Sequence, residues 1–366
     1  MPAPSPDAAA QLWLDQIPLA DRLAAAAHTD IRLWGWLAAG LVTIAVSVAV
    51  ARGGLIGRLR LAIERNGPNP WLVRTAGVGA FALTVLAARA LTDAIAGQPP
   101  VQAASGVLPG VGLAIIVLTP LQWLIRSRPR TWPWIAGTAA GVAILAATWL
   151  PYALSLGAAT RPLPNGPVRA GLETMSRQAG LSSPFLGLSD DPAFVADVSG
   201  GLGPTHVTIG PRLLAGPPDQ ARALVGHVAG HFAHADILIL SLIYAGMTAG
   251  ALAALAAVYR PLARTMGVAE ALGEPEGLPV ATVVAVAAIA LSTLGGGAYL
   301  RWANMRADAY ALDRSRAPDG LARGLLSEWD HASVDPSPVE EALFYTHPPL
   351  RRRLVRIAEW QAARSG

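Results

Sequence analysis

Two histidines spaced four residues apart carry the clearest chemical signal in this sequence. His227 and His231 lie in the run 223–236, whose pattern predicts a helix. Residues four apart share one helix face, so the two imidazoles are expected to point the same way. This is the spacing of the H-E-x-x-H zinc motif, in which the Glu after the first His is the general base. Val228 stands in that position here, so the sequence offers two metal ligands without the base between them.

A third imidazole lies on the same predicted helix face. His234 follows three residues after His231 and seven after His227. A metal site of three histidines is one interpretation, although a rigid helix spreads three such side chains along about two turns. In the other interpretation His234 is a polar residue near a membrane interface. The pattern leaves both open.

The composition of the chain is that of a membrane protein. Of its 366 residues, 53% are hydrophobic and 14% are charged, whereas soluble domains carry about 25% charged residues. The formal net charge of +4 is small and dispersed, which argues against nucleic acid as a partner. Because the chain has no cysteine, neither a disulfide nor a thiolate ligand can form. The lipid bilayer is the expected environment.

Six apolar runs approach the ~20 residues that a helix needs to cross the hydrocarbon. Arginines concentrate in the first, third and fifth connections between these runs, which the positive-inside rule assigns to the cytoplasm. We therefore expect an integral protein, of a bacterial inner membrane, with the N-terminus and the polar parts of the chain on the extracytoplasmic side. The runs cover residues 33–51, 75–96, 106–125, 132–154, 237–258 and 278–300.

Two polar features accompany the spans. Residues 1–31 alternate Leu and Trp with charged residues, which predicts a short interfacial helix, with a frayed tail as the alternative. They lack a basic and apolar leader, so no cleaved signal peptide is expected. Within the second run, Arg89 and Asp93 lie four apart. A pair that neutralises itself is favoured there over a functional relay.

The polar parts of the chain predict a small α+β domain in two pieces. The first contains a linker at 161–167, a helix at 168–179, and short strands at Phe185–Leu188, 193–198 and His206–Ile209. The histidine helix follows, with Asp219 as its predicted N-cap. The predicted division is a tail at 1–31, four spans at 32–154, the first piece at 155–235, a hairpin at 236–300 and the second piece at 301–366.

Four motifs follow one another across residues 165–360. They are the segment 203–214, His227-Val-Ala-Gly-His231, Asn304-Met-Arg-Ala-Asp-Ala-Tyr-Ala311 and Thr346-His-Pro-Pro-Leu-Arg351, with a hairpin between the second and third. They resemble the edge strand and the H-E-x-G-H, E-x-x-A-D-x-x-A and T-H-P-P-L-x-x-R motifs of the membrane zinc-peptidase family that includes HtpX and the CAAX prenyl protease. The resemblance implies a mainly α, polytopic membrane protein of about six transmembrane helices, with a small α+β metallopeptidase-like domain on one membrane face.

The resemblance also implies roles for the matched residues. His227 and His231 match the imidazole ligands of zinc, and Asn304 stands where the family has its third ligand, a Glu. Asp308 matches the carboxylate that orients a ligand imidazole, which fixes its tautomer. His347 matches the histidine of the closing motif, near the site.

The segment His206–Ile209 matches the strand at the edge of the sheet. An edge strand can receive an extended peptide through main-chain hydrogen bonds without any metal. The expected peptide groove is therefore formed by His206, Val207, Thr208 and Ile209.

Both departures from the family pattern remove carboxylates that peptide hydrolysis needs. Val228 cannot accept a proton, and a neutral Asn304 amide is a poor third ligand. Glu173, Glu340 or Glu341 would have to supply a base, and the sequence positions none of them. We favour a pseudopeptidase without a cofactor that binds a membrane-protein partner or a larger membrane complex. The alternative is an active zinc endopeptidase of membrane or secreted proteins with a rearranged metal site.

Overall fold

The computed structural model describes residues 5–65, 67, 69–95, 99–158, 161–181, 183–268, 272–329 and 332–365, without the side chains of residues 32, 33 and 365. The chain divides into two compact units. The unit that we name the membrane unit consists of Ile31–Val142 and Tyr244–Ser292. The other, which we name the site unit, consists of Met1–Asp30, Ala143–Ile243 and Thr293–Gly366.

The described residues form mostly helices, numbered here in chain order. The helices are α1 (Pro6–Leu14), α2 (Leu19–Gly53), α3 (Leu55–Glu64), α4 (Pro70–Ile95), α5 (Pro100–Ser105), α6 (Val107–Ser127), α7 (Trp132–Ile144), α8 (Leu150–Ala153), α9 (Pro167–Gln178), α10 (Pro211–Ala215), α11 (Pro218–Ala233), α12 (Asp236–Met266), α13 (Leu278–Ser315), α14 (Pro318–Ser327), α15 (Pro338–Phe344) and α16 (Leu350–Ser365). A π-helical turn, Leu145–Trp149, joins α7 to α8. The strands are β1 (Arg161–Pro162), β2 (Phe185–Leu188), β3 (Ala196–Ser199) and β4 (His206–Ile209).

Six segments of the described chain are long and apolar enough to cross a membrane. They contain the six predicted runs, apart from residue 96, which lies outside the described residues, and residue 154, which follows α8. The fold prediction of a polytopic, mainly helical protein is therefore confirmed. The segments are Leu19–Gly53, Pro70–Ile95, Pro100–Ser127, Trp132–Ala153, Asp236–Met266 and Pro275–Ser315.

Small residues set the spacing of helices within the membrane unit. A Cβ on Gly137 would lie 3.1 Å from the Cβ of Ala249, and one on Gly77 would lie 2.6 Å from that of Pro275. Small residues let backbones approach, and in lipid such packing replaces the hydrophobic drive for helix association. The predicted pair of Arg89 and Asp93 forms, with 3.8 Å between Nε and Oδ2.

One connection in the membrane unit differs from the prediction. Arg260 and Arg264 were expected in a loop after residue 258, but α12 continues to Met266 with Pro261 inside it. A proline removes one main-chain hydrogen bond, which bends a helix without having to end it.

The sheet of the site unit has the strand order β1-β2-β4-β3. Strands β2 and β4 are parallel, and β1 and β3 run antiparallel to their neighbours. Side chains alternate across a sheet, so its apolar positions fall on one face. That face packs into a core with α9 and α11. Its sheet members are Leu186, Leu188, Val198, Val207 and Ile209.

The position of β4 corrects the expected peptide groove. His206–Ile209 is hydrogen-bonded to β2 on one side and to β3 on the other, so it is an interior strand and not an edge strand. Its main-chain groups are already paired and cannot receive a peptide. The outer position beside β4 belongs to β3, Ala196–Ser199. The alternation of side chains could not reveal the strand order.

Local contacts explain three smaller differences. The third strand begins at Ala196 and not at residue 193, because the Asp191 carboxylate accepts from Ala193 N at 2.8 Å and turns the chain there. The first two residues of the segment predicted as a linker, 161–167, form strand β1 instead. The N-cap of α11 is Pro217, and Asp219 lies in its first turn, paired with Arg323.

The N-terminal segment packs into the site unit. Ala10 and Leu14 of α1 are fully buried in a core that they share with Leu354 and Ile357 of α16. The hydroxyl of Ser5 caps α1. A frayed tail is therefore wrong from residue 5 onward, because apolar residues three to four apart give the segment a face to bury.

Candidate functional site

Glycines on α11 allow the histidine helix to lie very close to α13. A Cβ on Gly230 would lie 2.9 Å from the Cα of Ala307, and one on Gly226 would lie 3.2 Å from the Cα of Ala311. The close approach brings Asp308 of α13 against His227. It also explains why two glycines occupy a helix interior, where glycine normally costs stability.

His227 is held by a buried chain of polar contacts. Its Nδ1 lies 2.8 Å from an oxygen of Asp308, whose exposed fraction is 4%. Arg353 of α16 donates two hydrogen bonds of 2.7 Å to the same carboxylate. This forked geometry is the strongest form of ion pair in proteins. It ties α11, α13 and α16 together at one point.

His231 has a carboxylate of its own. Its Nδ1 lies 2.8 Å from Asp236 at the start of α12. Asp236 also accepts from Tyr299 OH at 2.7 Å and from Arg306. An ionised carboxylate can only accept, so Nδ1 carries the proton in both histidines. Carboxylates behind metal-binding histidines fix the ring and tautomer in this way.

The two imidazoles present their other nitrogens to each other. The Nε2 atoms of His227 and His231 are 3.2 Å apart, with the rings nearly perpendicular. Two nitrogens bound to one tetrahedral zinc at about 2.0–2.1 Å would lie roughly 3.3 Å apart. Burial lowers the pKa of His227, although Asp308 opposes that shift. Burial thus favours the neutral imidazole, the form that binds metals.

Asn304 lies one helical turn before Asp308 on α13. It is 2% exposed, and its amide nitrogen donates to Leu300 O at 2.9 Å and to Thr346 O at 3.4 Å. Its Oδ1 is buried and has no hydrogen-bond partner among the described residues. A neutral oxygen is thus the only metal-binding group that Asn304 offers.

Among the described residues, His227 and His231 offer two nitrogens at the spacing of metal ligands. Within the described ranges, no group of three His, Cys, Asp or Glu lies close enough to hold a metal. A catalytic zinc normally has three such ligands and a water. Of the three zinc ligands that the resemblance implies, the chain therefore has the two histidines and lacks the carboxylate at position 304.

The position of the general base is filled by an aliphatic side chain. Val228 is partly buried and packs against the core of the sheet. The three carboxylates that the sequence offers as replacement bases each have another partner among the described contacts. Glu173 binds Arg169 at 2.9 Å, Glu340 completes the capping box of Ser337, and Glu341 binds Arg352 through two bonds of 2.7 Å.

The remaining predicted histidines have other neighbours. Nδ1 of His234 lies 2.6 Å from Gly230 O, and its ring meets that of Tyr310 edge-on at 5.8 Å. His347 is exposed, with Nδ1 3.2 Å from Thr346 Oγ1. The structure thus brings together His227, His231 and Asp308 through direct contacts.

Four residues of this network were not predicted from the sequence. Arg353 could have been found, because it is the arginine of the T-H-P-P-L-x-x-R pattern counted from Leu350. Asp236 had a weak signal as a carboxylate just after the histidine cluster. Tyr299 and Arg306 had none, since they approach Asp236 from 63 and 70 residues away in the sequence.

The fold and the site define a polytopic membrane protein of the metallopeptidase type. The profile of Peptidase family M48 matches residues 162–361, more than half of the chain, so the chain belongs to this family. Its fold is similar to that in a crystal structure of Ste24p from S. mikatae, with a TM-score of 0.56, 16% identity and coverage of 76% of each chain. A search of curated proteins finds no match.

Proposed function

We propose that this chain is a catalytically degenerate M48 protein that binds a membrane-protein partner or takes a place in a larger membrane complex. The observation that carries the proposal is the environment of Val228. The side chain after the first histidine packs into the sheet core and has no group that can accept a proton. A positioned base contributes about 10²–10⁴-fold to a rate, and Val228 cannot serve as one.

The third-ligand position supports the same conclusion. The Asn304 amide is hydrogen-bonded to two main-chain carbonyls, so the side chain is fixed in a role within the helix packing. Its neutral oxygen brings no charge to balance a divalent cation. At both positions where the family pattern has a Glu, this chain therefore has a residue that packs or hydrogen-bonds within the fold: Val228 in the core and Asn304 between two carbonyls.

The buried network has a function that does not depend on catalysis. The contacts of Asp308 with His227 and Arg353 join three helices, and removing one member of a buried charged network leaves the others uncompensated. A protein that had lost its activity would still keep these residues, because the fold needs them.

The edge of the sheet is the surface that we assign to a bound segment. Strand β3, Ala196–Ser199, lies outermost beside β4. An extended segment of a partner could add to it through main-chain hydrogen bonds. Such binding needs neither a metal nor a base.

A specific observation favours the second candidate, an active zinc endopeptidase of membrane or secreted proteins. The Nε2 atoms of His227 and His231 face each other at 3.2 Å, and each ring is backed by a carboxylate. A water and an acidic group from a substrate or partner would then have to complete the site.

The test compares metal content and cleavage with capture of a partner. We expect purified protein to hold less than stoichiometric zinc, to leave an unfolded membrane protein intact, and to retain a specific partner when isolated from native membranes. A change of Ala196 to Pro on β3, where the side chain is only partly buried, is expected to reduce that capture. Stoichiometric zinc that is lost in His227→Ala, together with cleavage by the unaltered protein, would establish the endopeptidase instead.

A further inference from the structure

The membrane unit has a cavity of about 230 Å³ where α3, α4 and α6 meet the loop before α13. Its lining is polar, which is unusual for a helix bundle surrounded by lipid. The residues around it are Arg60, Glu64, Asn69, Pro70, Val73, Arg74, Arg126 and Glu274.

Arg74 is the exceptional member of this lining. Its side chain is buried, with 8% of the residue exposed, and its Nε has no hydrogen-bond partner in the described part of the chain. Among the described residues, no carboxylate forms an ion pair with it. A buried guanidinium without a counter-charge is strongly unfavourable. The cavity therefore presents a positive group that no carboxylate of the described chain neutralises.

The other charged residues of the cavity form ion pairs with one another. Arg60 binds Glu64 at 2.8 Å, and Arg126 binds Glu274. Each carboxylate thus neutralises one arginine, and the net charge of the lining is set by Arg74. An anion entering the cavity would meet three guanidinium groups and two carboxylates, so the surplus positive charge is that of Arg74.

The cavity lies where α3 and α6 end and α4 begins. Helix α4 begins at Pro70, and Trp71 and Leu72 beside the cavity are about half exposed. Exposed tryptophans are typical of the headgroup level of a bilayer. This region also carries the arginine-rich connections that the sequence assigns to the cytoplasm, where anionic lipids concentrate.

We propose that this cavity binds the phosphate of an anionic phospholipid headgroup, with Arg74 as its main ligand. A guanidinium matches a phosphate through two parallel hydrogen bonds. The acyl chains would lie against the apolar surface of α4, where Leu72 is exposed. This site is independent of the proposed function of the histidine site.

The test measures lipid binding to the purified, delipidated full-length chain. We expect native mass spectrometry to show phosphatidylglycerol retained in preference to phosphatidylcholine, and phosphatidylglycerol to raise the thermal midpoint. Arg74→Gln should weaken phosphatidylglycerol binding by about tenfold or more, because a charge-assisted pair is lost. Arg130→Gln is the matched control, since Arg130 is exposed in the same region and does not line the cavity.

A second variant keeps the test decisive if Arg74→Gln does not fold. Arg60 lines the cavity with 39% of its side chain exposed, so Arg60→Gln should fold and weaken binding several-fold. Equal retention of phosphatidylglycerol by the unaltered protein and both cavity variants would overturn the proposal, as would an equal loss in Arg130→Gln. If inorganic phosphate in phosphatidylcholine stabilises the protein as much as phosphatidylglycerol does, a lipid is not the occupant.

Discussion

The Nε2 atoms of His227 and His231 face each other at 3.2 Å, while the other nitrogen of each ring binds its own carboxylate. The rings are nearly perpendicular, so each Nε2 is directed towards the same small region between them. The two nitrogens thus have the spacing of two metal ligands, while Asn304 stands at the third-ligand position and Val228 at the base position of the family pattern.

Restoring both carboxylates should restore metal binding. We expect Val228→Glu combined with Asn304→Glu to raise zinc content to about one per chain, because three ligands and a water complete a catalytic zinc site. Elemental analysis of the purified variant measures this. His227→Ala in the same background is the control and should lose the zinc.

Asp308 can be tested in that restored variant. Its replacement by Asn leaves both ligands in place but weakens the acceptor behind His227, so zinc affinity should fall about 10–100-fold. Competition with a chelator measures the affinity. An unchanged affinity would show that the contact of 2.8 Å does not orient the imidazole.

Arg353 should be one of the most sensitive positions for stability. Arg353→Met leaves the Asp308 carboxylate buried without its cation, which should cost about 3–5 kcal/mol. Denaturant or thermal unfolding in detergent measures the loss. Arg356→Met is the matched control on the same helix, because its side chain is 65% exposed, and it should change stability by no more than about 0.5 kcal/mol.

Gly230 is expected to tolerate no side chain. A Cβ there would lie 2.9 Å from the Cα of Ala307, so Gly230→Ala should force α11 from α13 at a cost of about 1–3 kcal/mol. Gly246→Ala is the control, since no atom lies within 4 Å of the added carbon. Equal stability of the two variants would contradict the close helix crossing.

Asp197 on β3 should make stability depend on pH. Burial raises its pKa above the usual 3.8, although hydrogen bonds from Ser199 and Val198 N oppose the shift. The folded state then holds the proton more tightly than the unfolded state, so this carboxyl lowers stability as pH rises from about 3.8 through the folded pKa.

Replacement by Asn removes this penalty. Asp197→Asn should therefore have the higher thermal midpoint at neutral pH, and its advantage should shrink towards pH 4. Unfolding curves at both values measure the effect. If Asp197→Asn raises the thermal midpoint equally at neutral pH and at pH 4, the gain comes from packing and not from the titration of Asp197.

The sequence by itself determined the features that depend on residues close together in the chain. Apolar runs of spanning length gave the six membrane helices, and alternation placed β2 and β4 at their observed residues. The four spaced motifs gave the family. The substitution of Val228 for the usual Glu was also visible there.

Only the tertiary structure decided which distant groups meet. Strand order made β4 an interior strand, because pairing between strands depends on packing and not on alternation. The carboxylate behind His231 and the tyrosine and arginine that hold it come from different helices. The burial of Arg74 without an ion-pair partner among the described residues is likewise a property of the folded chain, since burial and ion pairing are set by neighbours far apart in the sequence.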